Sequence, residues 1–199
     1  MKDLILEMES YAKEKNVPIM EKEGIAFLMK YIKANGVKNI LEIGSAIGYS
    51  AILMASSSQE VKVTTIERDE KNYLECLKNV KKCNFESKVN VVFQDALDVN
   101  LQENTKFDLI FIDAAKGQYI KFFEKFKYFL SPNGVIITDN LKFHGYVGKK
   151  DSIESKNLRQ LVGKIENYIE FLKTNEEFET KFYDIGDGVS VSKRIENDK

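Results

Sequence analysis

The sequence has no tryptophan, and its 199 residues include only two cysteines, two prolines and one histidine. The cysteines, Cys76 and Cys83, lie in a predicted helix and at its exit, without metal-ligand spacing, so we expect reduced thiols. No apolar run approaches the ~20 residues that a membrane-spanning helix needs. The stretch MKDLILEMESYAKEK also lacks the basic start and the cleavage site of a signal peptide. We therefore expect a cytoplasmic protein that does not associate with membranes.

Basic and acidic side chains are nearly equal in number, which gives a formal net charge of −1. This excludes a chain that binds nucleic acid indiscriminately, although a local basic patch remains compatible with it. Hydrophobic residues make up 43% of the chain, which is enough for one compact domain over residues 1–199. We find no repeat and no low-complexity linker.

Apolar periodicity predicts an α/β protein. Two helices at 3–15 and 21–34 form an N-terminal helical cap within residues 1–35, and strands and helices then alternate, which indicates a parallel sheet with helices on both faces. The expected segments are strands Asn39–Ile43, Val61–Glu67, Val89–Gln94, Phe107–Asp113 and Val135–Asp139, helices Lys71–Lys82, Tyr119–Leu130 and Ser155–Lys173, and a turn at Ser131–Gly134. Two last strands, Glu179–Ile185 and Val189–Arg194, form a hairpin that adds one antiparallel strand. The expected sheet has seven strands.

The stretch Asn39–Ser50 joins a buried strand to a helix through Gly44 and Gly48. Such a turn brings backbone N–H groups up to a ligand, and glycine leaves room for that approach. The spacing is not the G-x-G-x-x-G of dinucleotide sites. S-adenosylmethionine, which has no phosphate, is therefore favoured over NAD. Its amino-acid carboxylate would accept from Ser50 and from nearby N–H groups.

Polar groups follow the other strands at the same edge of the sheet, where ligands of open α/β sheets bind. Glu67 is placed to accept both ribose hydroxyls, and the adenine edge would meet Gln94, Asp95 and Ala96. Each of these four residues is a candidate cofactor contact.

Hard oxygen ligands end two neighbouring strands: Asp113, Asp139 and Asn140. This set suits Mg²⁺, with Mn²⁺ or Ca²⁺ as substitutes, and leaves positions for an acceptor with two adjacent oxygens. Lys116 is a candidate catalytic residue, either as a base or as a cation that stabilises an oxyanion. His144 is expected to be a loop residue or a wall of the substrate pocket rather than a ligand.

The motifs LEIGSAIGYS, VTTIE, FIDAAKGQY, TDN and IGDGVSVSKR together resemble the metal-dependent O-methyltransferases of the catechol and caffeoyl-CoA class. The segments VPIMEKEG and DAAKGQY look most like the bacterial tRNA 5-hydroxyuridine methyltransferase branch. The resemblance implies a Rossmann-like class I methyltransferase fold and a homodimer. It implies that the metal ligands are Asp113, Asp139 and Asn140, that the proposed base is Lys116, and that the cofactor contacts include Met20, Gly44, Ser50, Glu67 and Asp113, with Asp95 and Ala96 at the adenine.

The resemblance leads us to expect methylation of 5-hydroxyuridine to 5-methoxyuridine at the tRNA wobble position. The segment 141–164 has a net formal charge of +4, from six basic and two acidic side chains. Basic residues beside the site are suited to phosphate contacts in a tRNA anticodon loop; the candidates are Lys142, Lys149, Lys150 and Arg159. The alternatives are a small-molecule catechol or phenol O-methyltransferase, and a cofactor-binding module that scaffolds RNA without turnover.

Overall fold

A computed structural model describes residues 1–149 and 153–196. The helices are α1 (Lys2–Lys15), α2 (Lys22–Ala34), α3 (Tyr49–Ser56), α4 (Glu70–Lys82), α5 (Tyr119–Phe126) and α6 (Lys156–Lys173). The strands are β1 (Asn39–Ile43), β2 (Lys62–Glu67), β3 (Val89–Phe93), β4 (Phe107–Ile112), β5 (Leu130–Thr138), β6 (Phe178–Tyr183) and β7 (Val189–Arg194). Short 3₁₀ turns at Lys116–Gln118 and Lys127–Phe129 flank α5.

All seven strands form one sheet in the order β3-β2-β1-β4-β5-β7-β6. Strands β1 to β5 pair in parallel, whereas β7 is antiparallel to both of its neighbours, β5 and β6. The prediction of a seven-stranded, mostly parallel sheet with one reversed strand from the C-terminal hairpin is therefore confirmed.

The core is divided between the two faces of the sheet, because side chains alternate along each strand. On β1, Ile40 packs on one face and Leu41 on the other; on β4, Leu109 and Ile110 alternate in the same way. Helices α1 to α4 cover the first face, and α5 and α6 cover the second. Strands buried on both faces read as mostly apolar runs, as β1 and β4 do, each with one acidic residue within it.

The turn predicted at Ser131–Gly134 lies within β5, which is a correction to the sequence-based prediction. Pairing shifts register there, since Phe107 lies opposite Leu130 but Leu109 lies opposite Val135. The extra residues form an irregularity beside β4, where turn-forming residues are tolerated. The helix predicted to reach Leu130 ends at Phe126, because the chain must extend at Leu130 to pair with Phe107.

Within the described ranges, no helix combines the length and apolar character required to cross a lipid bilayer. A location in the cytoplasm stays a prediction.

Candidate active site

A cleft of about 840 Å³ opens at the carboxyl ends of the parallel strands. In the sheet, β2 and β3 lie on one side of β1, and β4 lies on its other side, so the strand order reverses beside β1. The cleft spans this point, which is where ligands of open α/β sheets bind. The cleft is lined by many of the residues expected from the sequence: Met20, Gly44, Ser50, Glu67, Gln94, Asp95, Ala96, Asp113, Lys116 and Asn140. The candidate residues are thus brought together.

Backbone hydrogen bonds align the residues that follow the strands. Gly44 donates its N–H to a carbonyl near the end of β2 (2.9 Å), and Asp113 donates to the last carbonyl of β1 (3.1 Å). Asp139 donates to the last carbonyl of β4 (3.2 Å). Each of these three residues therefore extends the hydrogen-bond ladder of the sheet by one step, which places all three at the same edge.

The loop between β1 and α3 depends on backbone conformations that disfavour most side chains. Gly44, Ala46 and Gly48 have positive φ angles of 93°, 44° and 84°. A Cβ on Gly44 would lie 2.4 Å from the carbonyl oxygen of Asp113. The loop therefore packs directly against the end of β4, and glycine at this position makes the close approach possible. The sequence alone did not indicate the positive φ of Ala46.

Glu67 ties this loop to the end of β2. Its Oε2 accepts from the N–H of Ala46 at 2.9 Å, and its Oε1 accepts from the N–H groups of Arg68 and Asp69 at 2.8 Å. Carboxylate oxygens have further lone pairs. The side chain lines the cleft and can still accept from a ligand hydroxyl.

At the end of β3, Asp95 is held by two partners. Its Oδ1 accepts from the N–H of Leu97 (2.9 Å), and its Oδ2 pairs with Arg68 Nη1 (3.1 Å). The backbone hydrogen bond and then the guanidinium lower the pKa of Asp95. Gln94 and Ala96 line the same part of the cleft.

Beneath the loop lies Glu42, which is fully buried on β1. Ser50 donates its hydroxyl to Glu42 Oε1, and Thr65 donates to Oε2 at 2.5 Å. Burial raises the pKa of Glu42 to about 7, although these two hydrogen bonds oppose the shift. Because a hydroxyl has one proton, Ser50 in this arrangement offers a ligand only an acceptor. A ligand carboxylate would depend on the N–H groups of the loop.

The three candidate metal ligands converge. Asn140 Nδ2 lies 3.3 Å from Asp113 Oδ1 and 3.2 Å from Asp139 Oδ2. Asp139 is 2% exposed, and its Oδ1 has no hydrogen-bond partner. Burial is the main cause that raises the pKa of both carboxyls, and their mutual repulsion adds to it at Asp139. A buried and a half-buried carboxyl, with an orphaned oxygen on Asp139, fit a divalent cation, provided that the amide oxygen of Asn140 turns towards it.

A further acidic side chain faces this pair. Asp187, in the turn between β6 and β7, lines the cleft and raises the pKa of Asp113 and of Asp139. Over residues 1–149 and 153–196, no group of three or more His, Cys, Asp or Glu side chains is arranged to hold a metal ion. The expected set contains only two such residues and an amide, so a divalent cation at this site stays a proposal.

The remaining wall of the cleft is formed by Lys116, Phe143 and His144. Lys116 Nζ lies 5.7 Å from the centre of the Phe143 ring, within range of a cation–π contact. The amine also lowers the pKa of Asp113 and of Asp139 by charge attraction. The geometry places Lys116 beside the pair of carboxyls, and its catalytic role stays a prediction.

A comparison with protein-family models gives a match to the family described as O-methyltransferase, over residues 2–195. The chain belongs to the O-methyltransferase family. Among curated relatives, this O-methyltransferase is 28% identical to caffeoyl-CoA O-methyltransferase of Populus kitakamiensis, over 90% of this chain and 78% of that protein. It is 26% identical to flavonoid 3',5'-methyltransferase of Vitis vinifera, over 98% of this chain and 85% of that protein.

Solved structures agree with this family and fold. A Staphylococcus aureus protein, provisionally named a caffeoyl-CoA O-methyltransferase, is 38% identical, with a TM-score of 0.90 over 96% of this chain and 92% of that chain. An O-methyltransferase of Bacillus cereus in complex with SAH is 27% identical, with a TM-score of 0.82 over 97% of this chain and 91% of that chain.

Among the expected RNA-binding residues of this O-methyltransferase, the three that the structure describes, Lys142, Lys149 and Arg159, lie outside the cleft lining. Lys142 pairs with Asp184 on the hairpin. Arg159 donates from Nε (3.1 Å) and Nη2 (2.6 Å) to the carbonyl of Ile153, which fixes its guanidinium near the start of α6. Lys149 is exposed, and Lys150 lies outside the described residues. The structure adds Lys164, whose amine lies 3.2 Å from where a Cβ on Gly117 would be, beside Lys116.

Two supporting residues were missed by sequence reasoning. Asn79 on α4 is buried and donates to the carbonyl of Ile47 at 3.0 Å, which holds the glycine loop from behind. Sequence reasoning did not single out Asp187, although its position between two glycines in the predicted hairpin gave a signal of a constrained residue. Neither residue is close in sequence to the groups that it supports, so only the fold brings them together.

Proposed function

We propose that this O-methyltransferase transfers a methyl group from S-adenosylmethionine to one of two neighbouring oxygens of an acceptor, with a divalent cation, preferably Mg²⁺, as a cofactor. The observation on which this rests is the convergence of Asp113, Asp139 and Asn140, with the buried and unpartnered Oδ1 of Asp139, beside the glycine loop.

The cleft supports S-adenosylmethionine as the methyl donor. Glu67 retains acceptor capacity for ribose hydroxyls, and Gly44 allows the loop to approach the ligand closely. Gln94, Asp95 and Ala96 line the part of the cleft where the adenine of the donor would lie. Met20, from the linker between α1 and α2, also lines the cleft. SAH in the Bacillus cereus relative gives independent support, because SAH is the demethylated form of this donor.

Asp113, Asp139 and Asn140 would hold the cation through oxygen atoms. When bound, Mg²⁺, or Mn²⁺ or Ca²⁺ in its place, supplies Lewis-acid activation of the acceptor hydroxyl and holds its two oxygens in one orientation. Lys116 lies next to the carboxyls, where it would accept the hydroxyl proton as a neutral amine or stabilise the oxyanion as an ammonium. Phe143 and the linker at Asn16–Glu21 would restrict water at the reacting groups.

The acceptor that we propose is 5-hydroxyuridine at the tRNA wobble position. Its 5-hydroxyl and 4-carbonyl oxygens are neighbours, and a base of an anticodon loop can be splayed into a site. The basic residues around α6 and the cleft, among them Lys149 and Lys164, support phosphate contacts. The second candidate is a small catechol or phenol, which the names of the plant relatives favour. Homodimerisation also stays a proposal, which sedimentation equilibrium would test.

The decisive experiment uses the purified protein after treatment with EDTA, labelled S-adenosylmethionine, and two acceptors: tRNA that contains 5-hydroxyuridine, and catechol. We expect methyl transfer to the tRNA nucleoside only after Mg²⁺ is added, with 5-methoxyuridine identified by mass spectrometry. Undiminished transfer in EDTA would refute the cation. Transfer to catechol but not to tRNA would establish the second candidate.

Charge reversal at Lys149 and Lys150 separates the two acceptors. We expect the double variant Lys149→Glu, Lys150→Glu to lose tRNA affinity by about tenfold or more at low salt, because each phosphate contact adds to binding. Methylation of catechol should stay unchanged. The matched control is Lys30→Glu with Lys33→Glu, which reverses two exposed charges on α2 away from the cleft. Equal losses with both acceptors would exclude a role in RNA binding.

A further inference from the structure

The turn between β6 and β7 holds the segment that follows Asn140. We call residues 141–149 the acceptor loop. Leu141 donates its N–H to the carbonyl of Gly188 (3.0 Å), and Lys142 donates to the carbonyl of Asp187 (2.7 Å). The N–H of His144 donates to Asp187 Oδ1 at 2.5 Å. One turn therefore fixes the first four residues of the acceptor loop, including both residues that line the cleft.

The acceptor loop has an unfavourable backbone at the residues that it presents to the cleft. Phe143 and His144 have positive φ angles of 46° and 55°, and Asn140, three residues before Phe143, has one of 67°. Residues with a Cβ disfavour this region. Such conformations persist only where the surrounding structure holds them, and they are concentrated at functional sites. The hydrogen bond from the N–H of His144 to Asp187 helps to hold this pair, together with the contact of Lys116 with the Phe143 ring.

Asp187 is itself placed at a cost to the fold. It is 6% exposed, and its Oδ2 has no hydrogen-bond partner and lies 3.5 Å from His144 Nδ1. A buried carboxylate with an unpaired oxygen disfavours folding. This side chain therefore does not serve stability alone, and its position beside the cleft points to the site.

The turn between β6 and β7 lies between the acceptor loop and the start of α2. A Cβ on Gly188 would lie 3.0 Å from the nitrogen of Lys142, so the turn and the acceptor loop are in close contact. On the other side, a Cβ on Gly186 would lie 3.3 Å from the nitrogen of Gly24, at the start of α2. The turn thus has little room to shift, and it therefore holds the acceptor loop in a fixed position.

We propose that Asp187 is a positioning residue for the methyl acceptor: by holding the N–H of His144, it keeps Phe143 and His144 at the cleft and so fixes where the acceptor lies. The methyl donor, which lies towards the glycine loop and Glu67, does not depend on it. This inference rests on the proposed function, because it takes the acceptor loop as the wall against which the acceptor binds.

The first test compares Asp187→Ala with the conservative Asp187→Asn. We expect Asp187→Ala to raise the KM for the acceptor by about tenfold or more, because the N–H of His144 loses its hydrogen bond to a charged group. The dissociation constant for S-adenosylmethionine should stay within about twofold. Asp187→Asn retains an oxygen for the N–H of His144, so we expect its KM to return close to that of the wild type. Glu179→Ala, an exposed acidic residue on the same hairpin, is the matched control.

The second test needs no activity. In hydrogen exchange of the full chain, we expect peptides within residues 141–149 to exchange faster in Asp187→Ala than in the wild type or in Asp187→Asn. Unchanged exchange together with an unchanged KM would overturn the inference, and so would equal losses of donor and acceptor binding. If the wild type methylates no acceptor, the proposed function fails, and exchange alone decides the role of Asp187.

Discussion

Asp139→Asn is expected to abolish cation binding and to reduce methyl transfer by about a thousandfold, since Lewis-acid activation contributes several kcal/mol. The substitution replaces one oxygen of the site with an amide nitrogen and removes one of its two carboxylates. Isothermal titration with Mg²⁺ or Mn²⁺ measures the first effect, and a methyl-transfer assay measures the second. A variant that retains full activity without a cation would contradict the proposed mechanism.

The same variant should be at least as stable as the wild type when no cation is present. Asp139 is buried next to Asp113, and both carboxyls have raised pKa values. A carboxyl whose pKa is raised in the folded state destabilises the fold as the pH rises above its unfolded value, so its removal relieves that cost at pH 8. We expect an equal or higher Tm at pH 8 in EDTA, with Asp98→Asn, an exposed residue, as the control. A sharp fall in Tm would mean that Asp139 has a structural role.

Gly44→Ala should lose cofactor binding by about a hundredfold and destabilise the fold by about 2–4 kcal/mol, because overpacking adds to the strain of a positive φ. The new Cβ would lie 2.4 Å from the carbonyl oxygen of Asp113 and 3.1 Å from the Cα of Ala114. Both atoms belong to the backbone, so the contact can be relieved only if the loop moves away from the end of β4. That movement would also displace Asp113. Titration with S-adenosylmethionine and thermal unfolding measure the two effects.

Gly36→Ala is the matched control for this substitution. Gly36 also has a positive φ, 61°, but a Cβ there would meet no atom within 4 Å. It tests the cost of the backbone conformation alone, which is about 1 kcal/mol, and cofactor binding should be unaffected. If Gly44→Ala behaves like Gly36→Ala, the close packing of the loop against β4 has no part in ligand binding.

The sequence predicted the sheet well because its central strands β1 and β4 and the second half of β5 are largely buried and therefore read as mostly apolar runs that end beside a polar group. Asp113 and Asp139 could be placed together on that basis, since the carboxyl ends of parallel strands share one edge. The hairpin was also predictable, because glycines at 186 and 188 interrupt two strand-like runs.

Other features depended on contacts between distant segments. Ser50 was expected to donate to a ligand, but in the fold its proton goes to Glu42, a partner on another element whose burial no local pattern reveals. The position of Asp187 over the acceptor loop follows from the pairing of β7 with β5. The register shift at Ser131–Gly134 similarly reflects the pairing of β5 with β4 rather than the preferences of its residues.

The strand order has a consequence for biosynthesis. Strand β7 is the last strand along the chain, yet it lies inside the sheet between β5 and β6. A nascent polypeptide therefore cannot complete the sheet until residue 194 has left the ribosome, and until then the edge of β5 is open to incorrect pairing. The segments that line the cleft at Gly44, Glu67 and Asp95 leave the ribosome earlier than the hairpin that carries Asp187, so the wall formed by the acceptor loop is completed last.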